Sequence, residues 1–493
     1  MAMLEAQAHH QLKALLQREG GEPWPHHLTL SRLVARSLRR GDQTLVRLAP
    51  GSDPSWLIGL LVPLALSEAR LALVVSDALR QRLLRVELPR LAAAGGSLSL
   101  SCLEADFERQ EAQHARLWLL SHADLVGLWQ HGRLGDRQLV IPEIEQLDES
   151  LRQALEIRLA PEHWEQLGRA HPAARASLLE LHARLSRRVL AQPQPPHRLV
   201  ALAEHDEAPL RQLLALLQPL PAPWRRWLES GGATWASWAR VEPQVLHWTL
   251  HRQPLEPLQV LSGLLEGRGA VLIGQLGENR TDSSGPTSSG SERGLTPTVS
   301  VTLGDPPLAD PLPLFAPLRQ PLPNSPVFAE HLLEQSRRLV LGQTGLTVVL
   351  LDDEGLRLGL TSALAAEFGR RVVHESTAPE SNGVVCARWS WWLGHHHRLP
   401  LPCQVVVGLL PIASLEDPLT AARVQALRRL GRDWFREGLL PDGLNRLQLG
   451  VAGLRRSGGR LAILDGRLRG RSWGRQVLRA LEPWITLSRL LPH

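Results

Sequence analysis

Apolar positions follow two rhythms along this chain: short uninterrupted apolar runs, and longer stretches in which Leu, Val and Ala return at helical spacing. Residues 44–49 read as a strand that enters a Pro-Gly-Ser turn, and residues 56–66 as a Leu-rich helix. Residues 71–76 (LALVVS) read as a second strand, followed by a helix over 79–88 with Leu and Val on one face. Residues 117–120 and 138–141 supply two more buried strands. Strands that alternate with helices imply a parallel sheet covered on both faces. This is a first α/β domain over 28–147, preceded by a helical segment over 1–27.

From residue 148 the pattern turns helical, with Leu at helix spacing among many Arg and Glu. The segment 192–197 (QPQPPH) breaks it, and a Trp-rich stretch follows with Trp224, Trp227, Trp235, Trp238 and Trp248. Together 148–276 reads as a helical, Trp-rich insert that returns to the first domain. Residues 277–298, dense in Ser, Gly and Thr, lack the apolar content to bury a core and read as a flexible linker. A second α/β domain occupies 299–493. Its expected strands lie at 346–351, 371–374, 384–387, 405–409 and 461–464, with helices at 354–368, 421–438, 440–455 and 470–481. Two parallel-sheet lobes thus flank a helical insert.

Composition narrows the class. A chain of 493 residues is too long for one core, so two or three domains are expected. Its formal net charge of +6 permits a polyanionic partner, and arginine carries nearly all the positive charge, because Lys13 is the chain's one lysine. Compositional drift toward arginine and selection for phosphate-gripping guanidinium groups both fit that bias. Cys102, Cys386 and Cys403 are far apart, which excludes a disulfide framework and a four-cysteine zinc or iron–sulfur site. No apolar run is long enough for a membrane span, and the charged N-terminus lacks a signal peptide's core, so a cytoplasmic protein is expected.

Particular motifs carry a resemblance. Gly431-Arg432-Asp433-Trp434-Phe435-Arg436-Glu437 and Leu440-Pro441-Asp442-Gly443-Leu444 precede Gln448-Leu449-Gly450-Val451-Ala452-Gly453-Leu454-Arg455-Arg456. Asp465-Gly466-Arg467 closes the next strand. Upstream lie Ser390-Trp391-Trp392-Leu393-Gly394, Leu410-Pro411 and Asp417-Pro418-Leu419. In the first lobe, Ser121-His122-Ala123-Asp124-Leu125 stands where N-H-A-x-L is expected, and Val140-Ile141-Pro142-Glu143-Ile144-Glu145 where I-D-E-A-H is expected. In this order the segments resemble the DinG/XPD-like superfamily 2 DNA helicases over most of the chain. The resemblance implies two RecA-like lobes of the P-loop NTPase type, ATP and Mg2+ as cofactors, and single-stranded DNA as the bound polymer.

The same alignment shows what is missing. The phosphate loop, 48–55, would place Gly51, Ser52 and Ser55 beside a nucleotide, but it has no lysine to face the β- and γ-phosphates. Arg47 is a nearby cation, though a planar fork does not copy a compact ammonium, and Asp53 adds negative charge to the loop. Pro142 replaces the metal-holding Asp and Glu145 replaces the His. Glu143 keeps the position that orients the attacking water, and also fits a solvated strand end. Leu449 and Gly453 replace the Gln and the first Arg of motif VI. Arg456 remains where the family stabilises transition-state charge, and Leu393 replaces a Glu. Only Cys102 occupies the interval that holds the family's iron–sulfur cluster, so no cluster is expected. His395, His396 and His397 fit a solvated turn better than three ligands on one ion.

For the DNA path the family pattern points to Ser121, His122, Arg388, Arg398, Trp391 and Trp392. The two tryptophans fit base stacking and core packing equally. Two principal readings follow. One is a catalytically eroded helicase-fold protein that holds nucleic acid or a protein partner. The other is a divergent, active ATP-dependent helicase, favoured if an arginine reaches into the phosphate loop with a carboxylate facing it. A scaffold with neither ligand is the third.

Overall fold

The computed structural model describes residues 3–20, 24–49, 52, 54–93, 102–104, 115–191, 198–242, 247–261, 263–275, 295, 297–304, 311–341 and 343–487. The break at 192–197 and most of the linker at 277–298 lie outside the described residues. Strands β1 (Gln43–Leu48), β2 (Leu71–Val74), β3 (Cys102–Glu104), β4 (Leu117–Leu120) and β5 (Gln138–Ile141) come first. They are followed by β6 (Ile157–Leu159), β7 (Leu199–Ala201), β8 (Trp235–Glu242) and β9 (His247–Pro254). Next come β10 (Ala270–Gln275), β11 (Val299–Leu303), β12 (Leu312–Phe315), β13 (Thr347–Leu350) and β14 (Val372–His374). The last are β15 (Val384–Ala387), β16 (Gln404–Val407), β17 (Arg460–Ile463) and β18 (Trp484–Thr486).

Two seven-stranded sheets form the larger compact unit, Met1–Leu147 with Ser262–Pro411 and Pro441–His493. The first has the order β11-β1-β10-β5-β2-β4-β3 and the second β14-β15-β13-β16-β17-β12-β18, with every strand pair parallel. The expected strands at 44–49, 71–76, 117–120 and 138–141 are β1, β2, β4 and β5. Those of the second lobe are β13 to β17. Every residue of β2, β4, β13, β15 and β16 is buried, as a parallel sheet covered by helices requires. Against the first sheet lies the helix Leu57–Leu66, buried at nearly every position, and the helices Leu4–Glu19 and His27–Arg40 share its core through Leu12, Leu30 and Val34. A helix apolar on all sides belongs inside a layer rather than at its surface.

The second sheet is tied at its carboxyl edge by a buried charge. Asp465, fully buried after β17, accepts from Leu410 N at 2.8 Å and from Arg467 Nη2 at 2.6 Å, while Arg467 Nη2 reaches the Leu410 carbonyl at 3.2 Å. The D-x-R sequence therefore stitches the end of β17 to the end of β16.

The smaller unit combines Asp148–Leu261 with Ile412–Leu440. The insert expected to be helical also contains a four-stranded antiparallel sheet, order β6-β9-β8-β7. Its helices and Trp164, Trp224, Trp227 and Trp248 make one core. The segment expected as a helix over 421–438 is the helix Pro418–Arg429, which ends near Gly431 at φ 69°. That helix sets Leu419, Ala422 and Ala426 against Ala236, Trp238 and Leu255. Within this unit Arg252 is buried, ion-paired with Glu207, bonded to the Trp227 and Ser230 carbonyls, and laid over the Trp227 ring at 4.0 Å. Removing one partner of a buried pair strands the other charge. Glu207→Ala is expected to destabilise this unit by about 3–5 kcal/mol in urea unfolding followed by tryptophan fluorescence. Adding Arg252→Met should recover much of that loss.

Candidate nucleotide and nucleic-acid site

Parallel strands bring the loops after β1, β2, β4 and β5 to one edge of the first sheet. Gly51, with Pro50 and Asp53, lies outside the described residues. Ser52 is buried and turned onto its own loop: its N and Oγ donate to the Ala49 carbonyl at 3.1 and 2.8 Å. Its carbonyl accepts from Arg456 Nη1 at 3.1 Å. Ser55 stands in a single 3-10 turn, Pro54–Trp56, that leads into the helix Leu57–Leu66. Arg47 donates to Ser300 Oγ at 2.6 Å, toward the neighbouring strand β11.

After β5, Glu143 accepts from Ser76 N at 2.9 Å and Ser76 Oγ at 3.0 Å, and burial raises its pKa. Ser76 is also the cap of the next helix, its Oγ accepting from Leu79 N at 3.2 Å. Glu145 accepts from Gln275 N at 3.1 Å, across to the end of β10. Burial, reinforced by the Glu143 charge, pushes its carboxyl up to about 8. Gly274 permits this approach, because a Cβ there would lie 2.2 Å from Ile144 Cγ2 and 2.6 Å from Glu145 Oε2. Pro142, just before Glu143, offers no side-chain oxygen.

After β4, Ser121 caps the helix His122–Gln130 in a reciprocal box with Asp124: Ser121 Oγ donates to Asp124 Oδ2 at 2.7 Å and accepts from Asp124 N at 3.1 Å. His122 is buried, and desolvation pushes its pKa down to about 4. It is therefore neutral at physiological pH and contributes no positive charge.

In the second lobe, β15 ends at Ala387, and Arg388 follows it as the cap of the helix Trp389–His395. Arg388 is exposed, and its N and Nε lie 3.1 and 3.3 Å from Glu375 Oε1. Trp391 is partly exposed and stacks on His395 at 4.7 Å between ring centroids. Trp392 is buried and donates from Nε1 to the Gly450 carbonyl at 2.8 Å, and Arg398 is exposed. His395 and His396 face the carbonyls of Trp391 and Leu393, at 2.8 and 3.0 Å. Trp389, which the sequence reading passed over, is fully buried and donates to the Leu409 carbonyl at 3.0 Å. Its ring explains Gly450, where a Cβ would meet Trp389 Cζ3 at 2.6 Å. Arg456 is exposed in the last turn of the helix Leu440–Ser457.

The structure thus brings Arg456 and Ser52 together, and ties Glu143 to Ser76 and Glu145 to Gln275. Ser76, Gly274 and Gln275 were not foreseen. Of these, only Ser76 left a signal, a Ser-Asp pair at a helix start.

Glu145 yields a pH test. A carboxyl whose folded pKa exceeds its unfolded value binds more protons when folded, so its contribution to stability is largest below the unfolded pKa. It is lost as pH rises toward about 8. Glu145→Gln should flatten the decline in melting temperature between pH 5 and pH 8, removing a slope of at most about 1.4 kcal/mol per pH unit. Equal slopes for the two proteins would mean that Glu145 is charged throughout.

No protein-family model matches the chain. It is 28% identical over 176 residues to the ATP-dependent DNA helicase YoaA of Escherichia coli (strain K12), covering 33% of this chain and 28% of that protein. It is 30% identical over 125 residues to the ATP-dependent DNA helicase YoaA of Haemophilus influenzae, covering 25% of this chain and 20% of that protein. The chain therefore matches less than a third of the length of these relatives. Its fold is similar to that of S. tokodaii Xpd4, with a TM-score of 0.54 at 12% identity, over 90% of this chain and 96% of that one. The two parallel-sheet lobes match the fold of a helicase, and these sequence relatives support a relationship to the superfamily 2 helicases.

Proposed function

We propose that this chain is a helicase-fold protein that holds single-stranded DNA and has lost the nucleotide chemistry of its relatives. The observation that carries this reading is the state of the phosphate loop: no lysine, with Ser52 bonded to Ala49 and to Arg456. A magnesium nucleotide needs a cation at the phosphates, an oxygen on the metal and a carboxylate at the water. The donor set fits that group poorly. Pro142 stands at the metal position, burial favours the protonated form of Glu143 and Glu145, and both carboxyls are held by neighbouring backbone.

DNA binding is supported by what the second lobe offers at its carboxyl edge. Arg388 is exposed just past the end of β15, where it also pairs with Glu375, and Trp391 presents a partly exposed ring for stacking, while Arg398 is exposed beyond the helix Trp389–His395. Trp392 serves the core instead. Trp391→Ala is expected to weaken oligothymidylate binding by roughly 5- to 150-fold, the range of one base–aromatic stack, with little change in melting temperature. Trp392→Ala should do the reverse, with a stability loss of about 3–5 kcal/mol.

A second reading has one observation behind it. Arg456 does reach the phosphate loop from the other lobe, which is where an active enzyme places a charge-stabilising arginine. The carboxylates, however, are bonded to Ser76 and Gln275. Titration with fluorescent ATP and magnesium, with and without oligothymidylate, separates the two readings. The expected result is no saturable nucleotide binding and salt-dependent retention of DNA. DNA-stimulated hydrolysis would overturn the eroded reading in favour of the second.

A further inference from the structure

Behind the D-x-R strand end lies a cavity of about 580 Å³ whose walls include Leu318, Arg319, Gln320, Pro321, Gly466 and Arg469. Its floor depends on glycine: a Cβ on Gly466 would lie 2.3 Å from the Pro321 carbonyl oxygen and 2.7 Å from that of Gln320. The loop after β12 and the turn after β17 therefore close on each other as tightly as backbone allows.

The chemistry of the walls is one-sided. Arg319 and Arg469 are exposed, and no hydrogen bond or ion pair within the described residues holds either guanidinium. No carboxylate lines the cavity. The nearest acid in sequence, Asp465, is fully buried and already pairs with Arg467 and the Leu410 amide. Arg471 and Arg475 follow in the next turns, also exposed, and residues 466–481 contain neither Asp nor Glu. Gln320 donates Nε2 to the Pro317 and Ile463 carbonyls at 3.1 and 3.0 Å, while its Oε1 is buried with no donor in the described residues. The cavity thus combines two planar cationic forks with apolar walls from Leu318 and Pro321.

We propose that this cavity is a phosphodiester-binding subsite for a nucleic-acid single strand, with Arg319 and Arg469 on the phosphate oxygens. A planar fork suits a phosphate, and two forks supplied by separate segments at one cavity suit the successive phosphates of a polymer. Position supports the strand. All strands of the second sheet are parallel, so the ends of β12, β15 and β17 share one edge, and Arg388 and Trp391 stand on it after β15. In the order β15-β13-β16-β17, three strand spacings separate that helix from the cavity, about 14 Å. The proposal rests on the strand-binding reading above and extends its track to the far side of the lobe.

The test uses the full chain and fluorescence anisotropy of a labelled oligothymidylate across a salt series. Arg319→Ala with Arg469→Ala should lower the slope of log affinity against log salt by about 1.4, two phosphate contacts at about 0.7 each on a single strand. Arg319→Lys with Arg469→Lys should keep the slope and lose affinity, a pattern that misfolding does not produce. An unchanged slope and affinity in the alanine pair, with wild-type binding intact, would overturn the subsite and leave strand binding standing. If the wild type holds no strand, the parent reading falls first. Titration with inorganic phosphate, followed by its phosphorus resonance, then decides the cavity. Broadening lost in the alanine pair would mean a free-oxyanion site and overturn the phosphodiester assignment, and no broadening at all would overturn the site.

Discussion

Parallel pairing is the constraint on which the rest of this molecule depends. A strand that runs parallel to its neighbour must return over the sheet face, usually through a helix, so every strand ends at the same edge. In the first sheet that edge gathers Ser52, Ser76, Ser121 and Glu143 from loops far apart in sequence. In the second it gathers Asp352, Arg388, Leu410 and Asp465. The residues that matter chemically are neighbours because their strands are, and the buried apolar runs of β2, β4, β13, β15 and β16 hold the strands in place.

The edges of the two sheets differ in electrostatic character. At the first edge Glu143, Glu145 and His122 are driven toward neutrality. Burial raises the carboxyls of Glu143 and Glu145 and lowers the imidazole of His122, and the phosphate loop has no lysine to face them. A neutral carboxyl that accepts a backbone N–H is a strut, and Glu145 with Gln275 is built as one. In the second lobe charge is retained but sorted. Asp465 and Arg467 face each other inside, Arg357 is buried against the carbonyls that follow β13, and Arg388 and Arg469 are exposed.

The sequence was most readable where burial is complete. Runs such as Leu117–Leu120 and Val384–Ala387 have no polar face to confuse the period, and they are strands in place. β10 was hidden because its Gly274 and Gln275 interrupt an apolar run, and the reason for that glycine lies on another element, at Ile144 and Glu145. β8 and β9 were hidden by their tryptophans and histidines, which suit a helical core equally well until the pairing of Trp238 with His251 is known. Arg456 could be placed by its motif, but its partner Ser52 lies at the other end of the chain, and no local pattern records such a contact. Trp391 and Trp392 were indistinguishable side by side, and only the Gly450 carbonyl assigns the second to the interior.

The composite make-up of the smaller unit has a consequence for how the protein is made. Asp148–Leu261 leaves the ribosome well before Ile412–Leu440, the stretch that completes the unit, and roughly 150 residues separate them. At ordinary elongation rates that interval lasts on the order of ten seconds. Throughout it Ala236, Trp238 and Leu255 lack the cover of Leu419, Ala422 and Ala426. A nascent chain in this state exposes a tryptophan-bearing face to its surroundings, so its yield in a cell depends on how quickly translation proceeds between those points and on whether a chaperone occupies that face meanwhile.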